Sequence, residues 1–159
     1  MARDNRLSRI LHVLIHIDQC DRGMTSDEIG AMLGTNPVVV RRTMAGLRDR
    51  GYVSSEKGHG GGWRLVRPLE QLTLLDIYEA IGEPAMFAMG LAEDHQQCLV
   101  VGAVNNTLTD TLNEARELIL RRFEGVTIAD IAANVEKRLG TRKSTSKSAP
   151  QNNKRPKPK

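Results

Sequence analysis

Apolar residues recur at helical spacing between Arg6 and Asp18, where Leu7, Ile10, Leu11, Leu14, Ile15 and Ile17 mark one face of a first helix. Asp21-Arg22-Gly23 interrupts that pattern. "TSDE" then sets Thr25 three residues before Glu28, the spacing at which the two side chains accept each other's backbone N–H at a helix start. The short helix opened there turns Ile29, Met32 and Leu33 inward and stops at Gly34. Asn36 is placed to cap a third helix with Pro37 in its first turn, where a missing N–H costs nothing. That helix is expected to reach Arg50, with Gly51 as a left-handed terminator.

The period then changes. Two short β-like runs, Tyr52 to Glu56 and Trp63 to Arg67, flank a glycine-rich stretch and predict a hairpin with an extended tip. "TLLD" (Thr73 to Asp76) opens another helix to about Ile81, closed by Gly82 and Pro84, and residues 83–97 are expected to form a loop. From Leu99 to Arg122 runs the longest stripe, with Val101, Val104, Leu108, Leu112, Ala115 and Ile119 three or four apart. A stripe of that length calls for a partner surface beyond its own fold. "TIAD" (Thr127 to Asp130) caps a last helix ending near Leu139, and the polar, basic stretch after Gly140 is expected to be disordered.

Helix, capped short helix, tight turn, second helix and glycine-tipped hairpin is the order of a winged helix-turn-helix. The expected fold class is mainly α with a small β-hairpin, a winged helix-turn-helix followed by a long dimerisation helix. In that geometry the second helix of the turn unit enters the DNA major groove. Its exposed start is Pro37, Val38, Val39, Arg41 and Arg42, in which an arginine suits guanine and the valines suit thymine methyl groups. Glycines at the hairpin tip let backbone approach a phosphate without a Cβ in the way. Lys57, His59 and Arg64 surround Gly60, Gly61 and Gly62 with donors, completing the expected DNA contact set.

Charge sharpens this division. Residues 1–70 hold 11 basic and 8 acidic residues, residues 71–140 hold 5 and 11, and residues 141–159 hold seven basic and none acidic. A basic reading head joined to an acidic assembly module fits that distribution better than a surface coated uniformly for nucleic acid. The terminal stretch is either an unspecific phosphate-attracting arm or a solubilising end. No apolar run approaches the ~18 residues of a membrane span, and Met1 to Arg9 is polar, so a cytoplasmic, non-membrane protein is expected.

Enzyme readings of the glycine stretch fail on their own terms. His59 to Trp63 (HGGGW) resembles an esterase oxyanion loop, but no Gly-x-Ser-x-Gly elbow occurs in the chain. Gly58-His59-Gly60 begins a G-x-G, yet Trp63 stands at the third glycine and no Gly-Lys-Ser/Thr follows. The stretch is read as a wing, and no catalytic residue is assigned. A winged helix used only as a protein-contact adaptor is the remaining alternative.

Leu47 to Glu83, "LRDRGYVSSEKGHGGGWRLVRPLEQLTLLDIYEAIGE", resembles the Rrf-type winged-helix transcription regulators, the family of the iron–sulfur-cluster assembly repressor and the cysteine-metabolism repressor. The resemblance extends over residues 1–139, with His59 where many relatives carry Pro. It implies a DNA-reading helix at Pro37 to Arg42, a wing at Lys57 to Arg64, and a homodimer formed by the long helix. The implied division is 1–82 winged helix, 83–98 sensing loop, 99–139 dimerisation helices and 140–159 basic tail.

Cluster-binding relatives carry three cysteines before the dimer helix, whereas this chain has Cys98 alone there, with His95 nearby. One thiolate does not hold a [2Fe–2S] centre, which takes four protein ligands, and Cys20 lies far off in sequence. No cofactor is therefore expected, a subunit-bridging site excepted. Cys98 precedes a helix, where the dipole favours thiolate, so it is a candidate redox sensor. The other reading is a small buried thiol. His12 and His16 stand four apart, a metal-capable spacing without a carboxylate-plus-cysteine set, and are read as structural.

Overall fold

A computed structural model describes residues 4–58, 61–91 and 98–145, with side chains described throughout except at 136 and 138–145. Six helices and one antiparallel hairpin appear in the order α1 (Arg6–Asp18), α2 (Ser26–Leu33), α3 (Pro37–Asp49), β1 (Val53–Glu56), β2 (Gly62–Leu65), α4 (Leu74–Ala80), α5 (Leu99–Glu124) and α6 (Ile128–Thr145). A 3-10 turn at Leu69–Gln71 links the hairpin to α4. The fold class expected from the sequence is the one observed.

Local chemistry accounts for most of the boundaries. Thr25 and Glu28 form the reciprocal box, with Thr25 Oγ1 accepting from the Glu28 amide at 3.2 Å and the Glu28 carboxylate accepting from the Thr25 amide at 2.8 Å. Asn36 Oδ1 accepts from the Val38 amide at 2.8 Å, with Pro37 in the first turn of α3. Thr73–Asp76 and Thr127–Asp130 repeat the box at the starts of α4 and α6.

The two later boxes also pair with each other. Thr73 and Thr127 form an isolated antiparallel bridge, in which Leu74 donates to Val126 O at 2.9 Å and Ile128 to Leu72 O at 2.9 Å. One staple thus holds the starts of two helices more than fifty residues apart in sequence.

The core is aliphatic, built on Val13, Leu14, Ile29, Met44, Leu47, Leu72, Ile77 and Ile128, all fully buried. Ile128 brings the first turn of α6 into the same core as the helix-turn-helix, against α1 and the 3-10 turn. Residues beyond position 98 therefore help to build the head. α3 also passes so close to α4 that a Cβ at Gly46 would lie 2.5 Å from Ala80 O, a contact no other residue tolerates.

Several boundaries differ from expectation, and β1 begins at Val53, one residue after Tyr52. β2 starts at Gly62 and ends at Leu65, and Val66 adds one further bond in the same register, donating to Tyr52 O at 3.0 Å, before the chain turns toward Pro68. α5 continues two residues past Arg122, to Glu124. α6 runs past Gly140 to Thr145, and one mid-helix glycine costs only about 1 kcal/mol relative to alanine. Residues 146–159, the rest of the expected disordered tail, lie outside the described residues.

Acid should loosen the head by a defined route. The Arg22 guanidinium, and then the Thr25 amide and hydroxyl, hold the Glu28 carboxyl at about 2 against an ordinary 4.5. A carboxyl depressed in the folded state contributes stability that is full above its unfolded pKa and is lost as pH falls through its folded pKa. The cap contribution should therefore fade between about pH 4.5 and about pH 2. Asp130, lowered by the Thr127 amide and then its hydroxyl, acts in the same direction. Thermal melts of Glu28→Gln should start lower at pH 7 and converge with the unmodified chain near pH 2. Parallel curves over that range would exclude the cap as the cause.

Candidate nucleic-acid interface

The start of α3 carries its chemistry outward. Val38 and Val39 are 60% and 53% exposed, although Val40, Met44 and Leu47 on the opposite face are buried. Arg41 and Arg42 are exposed as well, and Pro37 is half-buried. Single exposed valines are ordinary, and here an adjacent exposed pair is separated by one residue from two exposed arginines.

The fold sorts the basic residues of the first 70 into braces and free charges. Arg6 donates to Ile81 O at 3.2 Å and Arg9 to Leu33 O at 2.7 Å. Arg22 pairs with Glu28, and Arg50 with Glu79 at 2.9 Å. Arg67 stacks 5.4 Å from the centre of the Tyr52 ring. Arg41, Arg42 and Lys57 have no ion pair or hydrogen bond to any described side chain or backbone group.

These free cations do not all face one way. Arg41 and Lys57 line a groove of about 350 Å³ between α3, the start of α2 and the hairpin, together with Gly58 and Arg48. Arg42, one residue on, borders a separate cleft toward α1 and α4, beside Arg6 and Gly46. Arg48 was not marked as a candidate by sequence reasoning. Its position seven residues after Arg41, two helical turns on the same face, is the signal that identifies it.

The hairpin's residues divide in a way that spacing did not reveal. Gly61 is buried, and its N–H donates to Gly58 O at 3.0 Å, so this amide braces the tip instead of facing a phosphate. Arg64 is engaged inside the molecule, donating to Asp21 O at 3.2 Å and lying 3.7 Å from Glu56. Gly62 lies where a Cβ would come within 2.7 Å of the Met24 carbonyl group, so its lack of a side chain serves the docking of the hairpin on the α1–α2 connection. Met24 and Trp63 exchange backbone hydrogen bonds of 3.1 and 2.8 Å there, and Trp63 Nε1 donates to Ser26 Oγ at 3.0 Å. Lys57 and Gly58 remain exposed. His59 and Gly60, expected at the tip, lie outside the described residues.

α5 stands largely clear of this head. Its C-terminal half meets α4 through Phe123 against Tyr78, with ring centres 5.8 Å apart, and the segment after α4 through Arg116 to Glu83 at 2.8 Å. No residue of α5 is buried. Leu99 is 91% exposed and Val100 70%, and with Val104 and Leu108 they line an apolar trough. Of the stripe read from sequence, Val104 is exposed, and Val101, Leu108, Leu112, Ala115 and Ile119 are half-buried.

Cys98 sits exposed at the residue before α5. The Val101 and then the Val100 amide at the helix start lower its thiol pKa, although no cap hydrogen bond of standard geometry forms. Cys20 is half-buried at the end of α1. His95 lies outside the described residues.

A capped pair of helices meeting in a tight turn, an exposed helix start and a hairpin folded beside it define a winged helix-turn-helix protein. The chain belongs to the Rrf2 family, whose model, described as an iron-dependent transcriptional regulator, matches residues 3–134. YwnA of Bacillus subtilis, which bears the name of an HTH-type transcriptional regulator, is 24% identical over 128 residues, covering 80% of this chain and 95% of its own. Among solved structures, T. potens IscR superposes with a TM-score of 0.63 at 16% identity, over 86% of this chain and 90% of that one. CymR, the global cysteine regulator of B. subtilis, does so at 0.61 and 16%, over 84% and 98%. Both likenesses are of fold.

The iron named in the family's description requires ligands. Among the described residues no three of His, Cys, Asp and Glu come together as a metal-holding group. The chain's only two thiols lie at the end of α1 and the start of α5. The described residues do not fit an iron centre. Among them, too, no helix is long and apolar enough to cross a membrane.

Proposed function

We propose that this chain is a homodimeric, sequence-specific DNA-binding repressor of the cytoplasm, in which α3 reads the major groove and the hairpin holds the adjoining backbone. The observation that carries this reading is the set of cations left without internal partners, Arg41, Arg42 and Lys57, around the exposed Val38–Val39 pair. Arg41 is the base reader, since a guanidinium can bridge guanine O6 and N7. Val38 and Val39 meet thymine methyl groups. Lys57 and the Gly58 region grip phosphate, which positions the protein without reading sequence. Arg42, facing the other cleft, contacts the backbone on the opposite flank.

A second copy covers the exposed stripe of α5, with Val101, Val104, Leu108, Leu112, Ala115 and Ile119 at the seam, so that two α3 helices face successive major grooves of an inverted repeat. Cys98, exposed and acidified at the head of that helix, is the place where an oxidant or electrophile would act on the dimer.

Gel shifts on duplexes from the region upstream of its own gene test this reading. Arg41→Ala should weaken the preferred site by about 1–3 kcal/mol and leave random DNA nearly unchanged. Lys57→Ala should weaken both alike and reduce the salt slope by about 1. Equal losses from the two variants on every sequence would contradict the assigned roles. Failure of the unmodified protein to prefer any duplex would instead support the adaptor alternative.

A further inference from the structure

The two histidines of α1 make a pair the DNA-reading function does not use. His12 and His16 lie one turn apart, His12 exposed and His16 half-buried, with their ring centres 4.7 Å apart and the rings inclined at 67°. Their Nε2 atoms are 3.0 Å apart, in hydrogen-bond contact with each other. Among the described residues, each ring's hydrogen bond is to the other.

Metal–imidazole bonds of about 2.0–2.1 Å place two neighbouring nitrogens about 2.9 Å apart at a right angle and about 3.4 Å apart at the tetrahedral angle. The observed separation falls at the right-angle end of that interval. Adjacent positions of a square-planar or octahedral ion have that angle, and imidazole is a good ligand for Ni²⁺ and Cu²⁺. We propose that His12 and His16 form a two-nitrogen chelate on the face of α1 for a divalent late transition-metal ion, Cu²⁺ or Ni²⁺, with water in its remaining positions. The ring that now donates its Nε2 proton carries it on Nδ1 instead, so that both Nε2 lone pairs face the ion and no proton is lost overall. No third protein ligand stands nearby among the described residues, consistent with an open, exchangeable site.

The site has a structural consequence. α1 carries Val13, Leu14 and Ile17 into the core and packs against β2 of the hairpin. A clip across one turn of this helix stabilises the folded head, because an ion bound only by the native arrangement shifts folding toward it. This holds whether or not the DNA-reading assignment is correct.

The full chain, metal-free and without an affinity tag, is titrated with Ni²⁺ alone by calorimetry and with Cu²⁺ alone by electron paramagnetic resonance. The expected result is one site per chain, a Cu²⁺ spectrum with nitrogen hyperfine structure from two imidazoles, and a melting temperature that rises and saturates with metal. His12→Gln and His16→Gln should each weaken binding at least about tenfold and abolish the thermal shift, whereas His59→Gln and His95→Gln should leave both intact. Unchanged binding in His12→Gln, or loss of it in the His59 or His95 variant, overturns the proposal. Circular dichroism of each variant without metal separates a lost ligand from a lost fold. Gel shifts of His12→Gln in the absence of metal should match the unmodified chain, so the two readings fail separately.

Discussion

Gly62→Val is expected to lower folding stability by about 3–5 kcal/mol and to abolish DNA binding at temperatures where the remaining fold survives. Gly62 has φ +140°, a backbone conformation that favours glycine, and an added Cβ would lie 2.7 Å from Met24 C and O and 2.9 Å from Gly23 C. These are backbone atoms and cannot swing away. The hairpin must lift, breaking the two Met24–Trp63 backbone hydrogen bonds and the Trp63–Ser26 contact, and exposing an indole that is now 6% exposed. Each lost hydrogen bond costs about 0.5–1.5 kcal/mol, and partial loss of Trp burial adds more.

Gly58→Ala supplies the contrast. Its φ is +99°, but nothing lies within 4 Å of the added Cβ, so only local strain of about 1–2 kcal/mol should appear. Urea unfolding of both variants measures the difference. Equal losses would show that the docking of the hairpin on the α1–α2 connection is not what Gly62 serves.

The second large effect is expected at Ile128. This side chain is fully buried although it opens the last helix. Ile128→Ala should cost about 2–5 kcal/mol, the range for removing a branched aliphatic side chain from a closed core. The change should release α6 from α1 and the 3-10 turn while the Thr73–Thr127 bridge still holds its start. Ile131→Ala, at a half-buried position one turn on, should cost distinctly less. Hydrogen exchange at α1 and α4 should rise in the Ile128 variant. Exchange confined to α6 would mean that the last helix is an appendage and not part of the head's core.

Winged helix-turn-helix order was readable because its signals are short. A Thr three residues before Glu28, Asp76 or Asp130 satisfies its own helix start wherever the chain goes, and Asn36-Pro37 does the same for α3. The start of α3 expected outside, Val38, Val39 and Arg41, is exposed, with Val40, Met44 and Leu47 turned into the core. The family resemblance also rested on a contiguous stretch around the hairpin, and the chain is a family member.

Which arginines remain free was not readable. Arg64 stood among the wing donors by position, yet it reaches a carbonyl 43 residues back in the chain, whereas Arg48 entered the Arg41 groove unmarked. Gly61 and Gly62 were marked as glycines at a tip, and their surroundings proved to be Glu56 and Met24. The separation of the two α1 imidazole nitrogens depends on side-chain rotation that no residue spacing specifies.

Sequence alone therefore determined the helix starts, the turn between α2 and α3, the apolar stripes and the hairpin, because each is signalled within a short contiguous stretch of chain. Tertiary structure alone decided that Ile128 completes the head, that Gly62 seats the hairpin, and that Arg41 and Lys57 share one groove while Arg42 faces another. Those outcomes depend on which distant segments close on one another, and a charge is left free for a ligand only after every internal acceptor within its reach has been taken.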